Sequence, residues 1–148
     1  MIMLSQHFSL REMTRSQVAS RLGIDNTPDE SAIKNMMALC ENVLEPIRKH
    51  FDTPFSPSSG YRCPQLNQAI GGSITSQHCL GQAADIEIPG WDNRSVALWI
   101  KGHVPYDQLI LECYKPEDPH SGWVHVSYTD VNRKEFLVFD GSKYTLGK

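Results

Sequence analysis

The 148-residue chain is 40% hydrophobic and 21% charged with a net charge of -3, an ordinary globular composition, and such a length can bury roughly 70% of the surface its unfolded form exposes. No run of like charges marks a nucleic-acid surface, and no stretch approaches the ~20 apolar residues of a membrane span. Cys40, Cys63, Cys79 and Cys113 are well separated with no C-x-x-C among them, so the expectation is free thiols acting as small core hydrophobes, without a disulfide scaffold or a thiolate zinc site.

Ser9 and Glu12 have capping-box spacing and predict a short helix, and Gly23 stops a second one in SQVASRL. The clearest helix starts at TPDE, with Thr27 as expected N-cap, Pro28 in the first turn and Glu30 closing the box. Its apolar face reads Ile33, Met36, Met37, Cys40, Val43, Leu44 and Ile47, and Pro46 is expected to kink or end it. After the turn-rich FDTPFSPSSGYRCP, QLNQAI reads as a short helix ended by Gly71 and Gly72. AADIEI then alternates Ala84, Ile86 and Ile88 against Ala83, Asp85 and Glu87, the pattern of a half-buried strand. A helix around RSVALWIK precedes three further strand candidates, DQLILECY, WVHVSY and EFLVFD, and the C-terminal EFLVFDGSKYTLGK reads as the last hairpin of the sheet. The expected fold is α+β: one domain over 1–148, with a helical part over 1–55 packed on a small antiparallel sheet formed within 56–148.

The chemistry concentrates around SQHCLGQAAD. Asp85 points away from the apolar face of its strand, His78 stands just before that strand, and Gly81 permits a turn folding the histidine back. His125 projects from one face of WVHVSY, so two imidazoles and a carboxylate form a three-ligand set. Three protein ligands leave a fourth position for water, as in catalytic zinc sites, whereas structural sites are usually closed by four. Hydrolysis also needs a general base. If 107–114 and 123–130 form a symmetric hairpin closed by the pair 114 and 123, Glu112 lies directly opposite His125. A bulge in KPEDPHSG would shift that register.

Ser76, His78, Gly81, Ala83 and Asp85, in the spacing S-x-H-x-x-G-x-A-x-D, followed by W-x-H at Trp123 and His125, resemble the zinc D-alanyl-D-alanine peptidases. That family includes carboxypeptidases, D,D-dipeptidases and phage endolysins that cut L-alanyl-D-glutamate, and hedgehog signalling domains share its fold. SGYRCPQLN also matches and puts Arg62 at the family's substrate- and transition-state-stabilising arginine. The resemblance implies one Zn2+ per chain held by His78, Asp85 and His125, with Arg62 catalytic and substrate-binding, Ser76 substrate-positioning and peptidoglycan as the partner. The phage and prophage group with an N-terminal helical segment is the nearest branch. Many members carry an acidic base three residues before the last histidine, where this chain has Gly122.

Glu112 is therefore the expected base, with Glu117, Asp118 and His120 as the alternatives. Cys79 beside His78 suggests a rival cysteine-nucleophile chemistry. The enzyme reading is a zinc peptidase cutting stem peptides or cross-links of peptidoglycan. The other is a non-catalytic zinc module that binds a wall fragment or virion partner. The opening MIMLSQHFSLREM lacks the apolar run of a signal peptide. The expectation is a monomer made in the host cytoplasm, reaching the wall through a holin pore or as a virion component, with no nucleic-acid partner and no membrane insertion.

Overall fold

The computed structural model describes residues 1–147. Helix α1 (Leu10–Thr14) begins with the expected capping box: Ser9 Oγ accepts from the Glu12 N–H at 3.1 Å, and Glu12 Oε1 accepts from the Ser9 N–H at 3.0 Å. Helix α2 (Gln17–Leu22) is capped by Ser16 and closed by Gly23 in the left-handed conformation. Helix α3 (Glu30–Leu39) starts two residues later than Thr27 predicts. Asp29 is its N-cap, accepting from the Ala32 N–H at 2.8 Å. The Thr27 hydroxyl is drawn away because Asp25 Oδ1 accepts from it at 2.6 Å and from its N–H at 3.0 Å, a local turn that competes with capping.

Pro46 does not end the helical run. A π turn over Cys40–Leu44 joins α3 to α4 (Glu45–Phe51), and the Glu45 N–H reaches back to Cys40 O. The proline thus falls in the first turn of α4, where a missing N–H costs least. Two more helices follow, α5 (Pro64–Ala69) and α6 (Asn93–His103), and a 3-10 turn at Gln77–Leu80 leads into the sheet.

The five-stranded sheet has the order β1-β3-β2-β4-β5, with β1 at Ala83–Ile86, β2 at Gln108–Glu112, β3 at Trp123–Ser127, β4 at Glu135–Phe139 and β5 at Tyr144–Leu146. The expectation of an antiparallel sheet needs correction, because β4 runs parallel to β2. Strand β3 already has β1 on one edge and β2 on the other, so the chain leaving it pairs on the free edge of β2. The last two strands form the expected hairpin.

The hairpin register is corrected as well. Glu112 pairs with Trp123, and His125 faces Ile110. Strand β2 ends early because Cys113 adopts a φ of 57° and gives its N–H to Phe139 O of β4. The slip is two residues, which preserves the face: Glu112 becomes a diagonal neighbour of His125, with Cα atoms roughly 7 Å apart.

One face of the sheet carries Ala84, Ile86, Leu109, Leu111, Val124 and Val126, which join Met36, Leu39, Leu44, Ile47 and Ile100 of the helices in a single buried cluster. Pairing puts Asp85, His125, Ile110, Glu112 and Trp123 on the other face. The apolar cluster thereby fixes where the polar residues project.

Candidate metal centre and cleft

Asp85 and His125 are paired residues on adjacent antiparallel strands, and His125 Nδ1 lies 3.0 Å from Asp85 Oδ1. His78 enters from the 3-10 turn, capped by Ser76 and closed by Gly81 in the left-handed conformation, and its Nε2 lies 3.4 Å from the same Asp85 oxygen. One donor atom from each of the three residues falls within 4.8 Å of the others, and the two imidazole rings meet edge to face at 5.1 Å.

The protonation pattern can be read from the partners. His78 is 2% exposed, and its Nδ1 lies 2.6 Å from Gly60 O, which can only accept. Nδ1 therefore donates to that carbonyl, and the ring directs Nε2 at the Asp85 carboxylate. Two imidazoles and a carboxylate converging this closely are the donor set of a metal ion, which these residues fit. Burial alone would raise the Asp85 carboxyl, but hydrogen bonding to His125 and His78 outweighs it and holds the group well below the carboxylate range.

The seam behind Gly60 is tight. A Cβ at Gly60 would collide with the backbone carbonyl of Met13 in α1, and the Tyr61 N–H donates to that carbonyl at 2.7 Å. The Arg62 N–H in turn donates to His78 O at 3.1 Å, and the Ser58 N–H donates to Asp85 O at 2.9 Å. The SSGYR stretch is thus bonded to both sides of the metal set.

His78, Asp85 and His125 open onto a cleft of about 570 Å³ whose lining includes Arg62, Ser76, Glu112, Trp123, Arg133 and Tyr144. Burial raises the Glu112 carboxyl and the negative charge of Asp85 raises it further, with His125 and Arg62 opposing. A carboxylate of raised basicity beside a metal set suits proton transfer. Ser76 Oγ accepts from the His78 N–H at 3.2 Å and from Arg62 Nη2 at 3.3 Å, so it both caps the turn and steadies the arginine. Arg62 Nε is buried and has no hydrogen-bond partner among the described residues.

Glu117, Asp118 and His120 are absent from this lining, and their exposed loop is tied to itself through Ser121. Burial pushes the Cys79 thiol up, against the pull of Arg62, which disfavours the thiolate a nucleophile needs. All four cysteines are free. Gly122, with a φ of 67°, packs where a Cβ would collide with Glu112 O, so this position admits the backbone of the strand bearing Glu112.

The family model for peptidase M15 matches residues 6–127. The chain belongs to the peptidase M15 family. No curated protein matches it. As an M15 peptidase the chain is a hydrolase of the metallopeptidase type, in a family of zinc enzymes acting on peptidoglycan-type substrates. The matched span contains Arg62, Ser76, His78, Asp85, Glu112 and His125, whereas Arg133 and Tyr144 of the cleft lie beyond it.

Sequence reasoning missed several contributors to this M15 site. Gly60 lies within SGYRCPQLN, but nothing in the residue type announces that its carbonyl holds His78. Asp107 and Arg133 gave no local signal, since their partners are distant in sequence. Asp107, 3% exposed, accepts from Arg133 Nη2 at 2.8 Å and from Gln77 Nε2 at 2.9 Å, pinning the turn that carries His78. The Arg133 hydrogen bonds, against the opposing effect of burial, lower the Asp107 carboxyl to about 2 from its ordinary 3.8. A group whose pKa is depressed by folding adds stability that is complete above its unfolded pKa and is lost as pH falls through the folded one. Asp107→Asn should therefore cost about 2 kcal/mol at pH 7. Thermal melts should show the gap from wild type closing between pH ~4 and pH ~2, and a gap that stays constant over that window would contradict the assignment.

Proposed function

We propose that this M15 peptidase hydrolyses peptide bonds in the stem peptides or cross-links of bacterial peptidoglycan, using one zinc ion held by His78, Asp85 and His125. The observation that carries the reading is the convergence of those three donors within 4.8 Å, on the wall of a cleft shared with Glu112 and Arg62. Zinc in such a site supplies Lewis acidity and an activated water at neutral pH.

The chain's own residues supply the rest. Glu112, on the sheet face that carries Asp85 and His125, takes the proton from the attacking water and returns it to the leaving amine. Arg62 offers donors to the carbonyl oxygen, or to a neighbouring carboxylate, as negative charge grows, and its unpaired buried Nε suits that task. Ser76 keeps the guanidinium in place and contributes to substrate positioning.

A phage-type endolysin role accounts for a wall-cutting enzyme made in the host cytoplasm and released through a holin pore, with a virion-borne role as the other route. The protein acts as a monomer on peptidoglycan and needs neither nucleic acid nor membrane insertion. Glu112 in the same cleft as the three donors favours the peptidase over the non-catalytic zinc module.

Purified peptidoglycan incubated with zinc-loaded protein should yield new peptide fragments by mass spectrometry, and excess chelator should reduce them to background. The fragment masses identify the bond. Stoichiometric zinc with no new fragments would transfer the assignment to the binding module. Cutting that persists in chelator would remove the metal from the mechanism.

A further inference from the structure

A second and larger hollow, about 960 Å³, adjoins the metal cleft and shares Arg62 with it. Its lining joins α2 and the chain just before it to the segment 57–62 and α5. The charged residues of this lining are Arg15, Arg21 and Arg62, and no carboxylate of the described residues contributes to it. That is notable on a chain whose net charge is -3. Beside the three arginines the lining carries serines and the apolar side chains of Val18 and Ile70, the latter 42% exposed.

A hollow that combines cations with apolar side chains and has no carboxylate complements a ligand in which small apolar groups accompany carboxylates. A peptidoglycan stem has that character, with alanyl methyl groups beside the free carboxylate of its D-glutamyl residue. The hollow also adjoins the proposed reaction centre in the right way. The segment 57–62 forms one of its walls and bonds to Asp85 and His78 through its backbone, and Arg62 lines both hollows.

The geometry points to an extended binding groove in which Arg15 and Arg21 hold carboxylates of the peptidoglycan stem on the far side of Arg62 from the metal set. This inference rests on the peptidoglycan reading above. Arg15 and Arg21 are exposed, and neither belongs to the catalytic machinery.

The test titrates zinc-loaded protein with the stem pentapeptide L-alanyl-γ-D-glutamyl-L-lysyl-D-alanyl-D-alanine, and with the same peptide amidated at the D-glutamyl carboxylate. Binding is read in the cold from intrinsic fluorescence, and hydrolysis is followed separately by mass spectrometry. The Arg15→Gln/Arg21→Gln variant should bind the free-carboxylate peptide about 10-fold more weakly, the size of one charge-assisted contact. It should bind the amidated peptide within about twofold of wild type, and Arg15→Lys/Arg21→Lys should recover most of the loss. Equal affinities for wild type and the Gln variant, an equal loss with both peptides, or no binding by wild type would each overturn the groove. Binding with the expected charge dependence but no hydrolysis would leave the groove standing and remove the peptidase reading instead.

Discussion

Glu112→Gln should lower kcat for peptide hydrolysis by about 10²- to 10⁴-fold, with zinc content and thermal stability close to wild type. The substitution keeps the shape of the side chain and removes its ability to accept a proton. Glu112 sits on the sheet face that carries Asp85 and His125, but it makes no hydrogen bond to either, so their arrangement does not depend on it. Burial and the Asp85 charge raise its pKa, so wild-type activity should fall on the acid side as the carboxyl protonates. The residual activity of Glu112→Gln should lack that acid limb. A variant with full activity would exclude Glu112 as base, and one that had lost its zinc would show the residue acting on the metal site instead.

Gly122→Glu, which installs an acid three residues before His125, should destabilise the protein by roughly 3 kcal/mol or more and lower its melting temperature by about 10 °C. Two causes act together. The backbone at 122 has a φ of 67°, which side chains other than glycine rarely adopt. A Cβ there would also collide with Glu112 O and crowd the backbone of Cys113 and Tyr114. Relieving that contact displaces β2 and with it Glu112. The double variant Glu112→Gln/Gly122→Glu should therefore stay inactive. Recovered activity at unchanged stability would show that the two positions are interchangeable, and that the base is not set by the strand register.

Much of the site was legible because it is local or strictly periodic. His78, Gly81 and Asp85 lie within one turn and one strand, and period-two alternation put Asp85 and His125 on a polar face before any pairing was known. Glu112 was placed on the right face through a register that was wrong by two residues, an error that alternation forgives and a one-residue slip would not. The helix starts were readable wherever a cap had no competitor, as at Ser9, and misread at Thr27, where Asp25 takes the hydroxyl.

Features decided by distant parts of the chain were not legible. The parallel pairing of β4 follows from which sheet edge remained free, and the Asp107–Arg133 pair spans 26 positions. Pro46 was read by a sound local rule, which a single widened turn at Cys40–Leu44 circumvents.

The close approach of Gly60 to Met13 ties the amino-terminal helices to the chemistry of one imidazole. The Gly60 carbonyl keeps the proton on His78 Nδ1, and the neighbouring Tyr61 N–H is anchored on Met13. Two equilibria that share a strut are reciprocal: docking of the first helix favours the tautomer that binds a cation, and a bound cation strengthens the docking by the same free energy. Loosening α1, by clipping the chain or by altering Met13, should thus register as weaker metal affinity at a site to which α1 contributes no ligand. Metal occupancy becomes a gauge of whether the amino-terminal segment is seated.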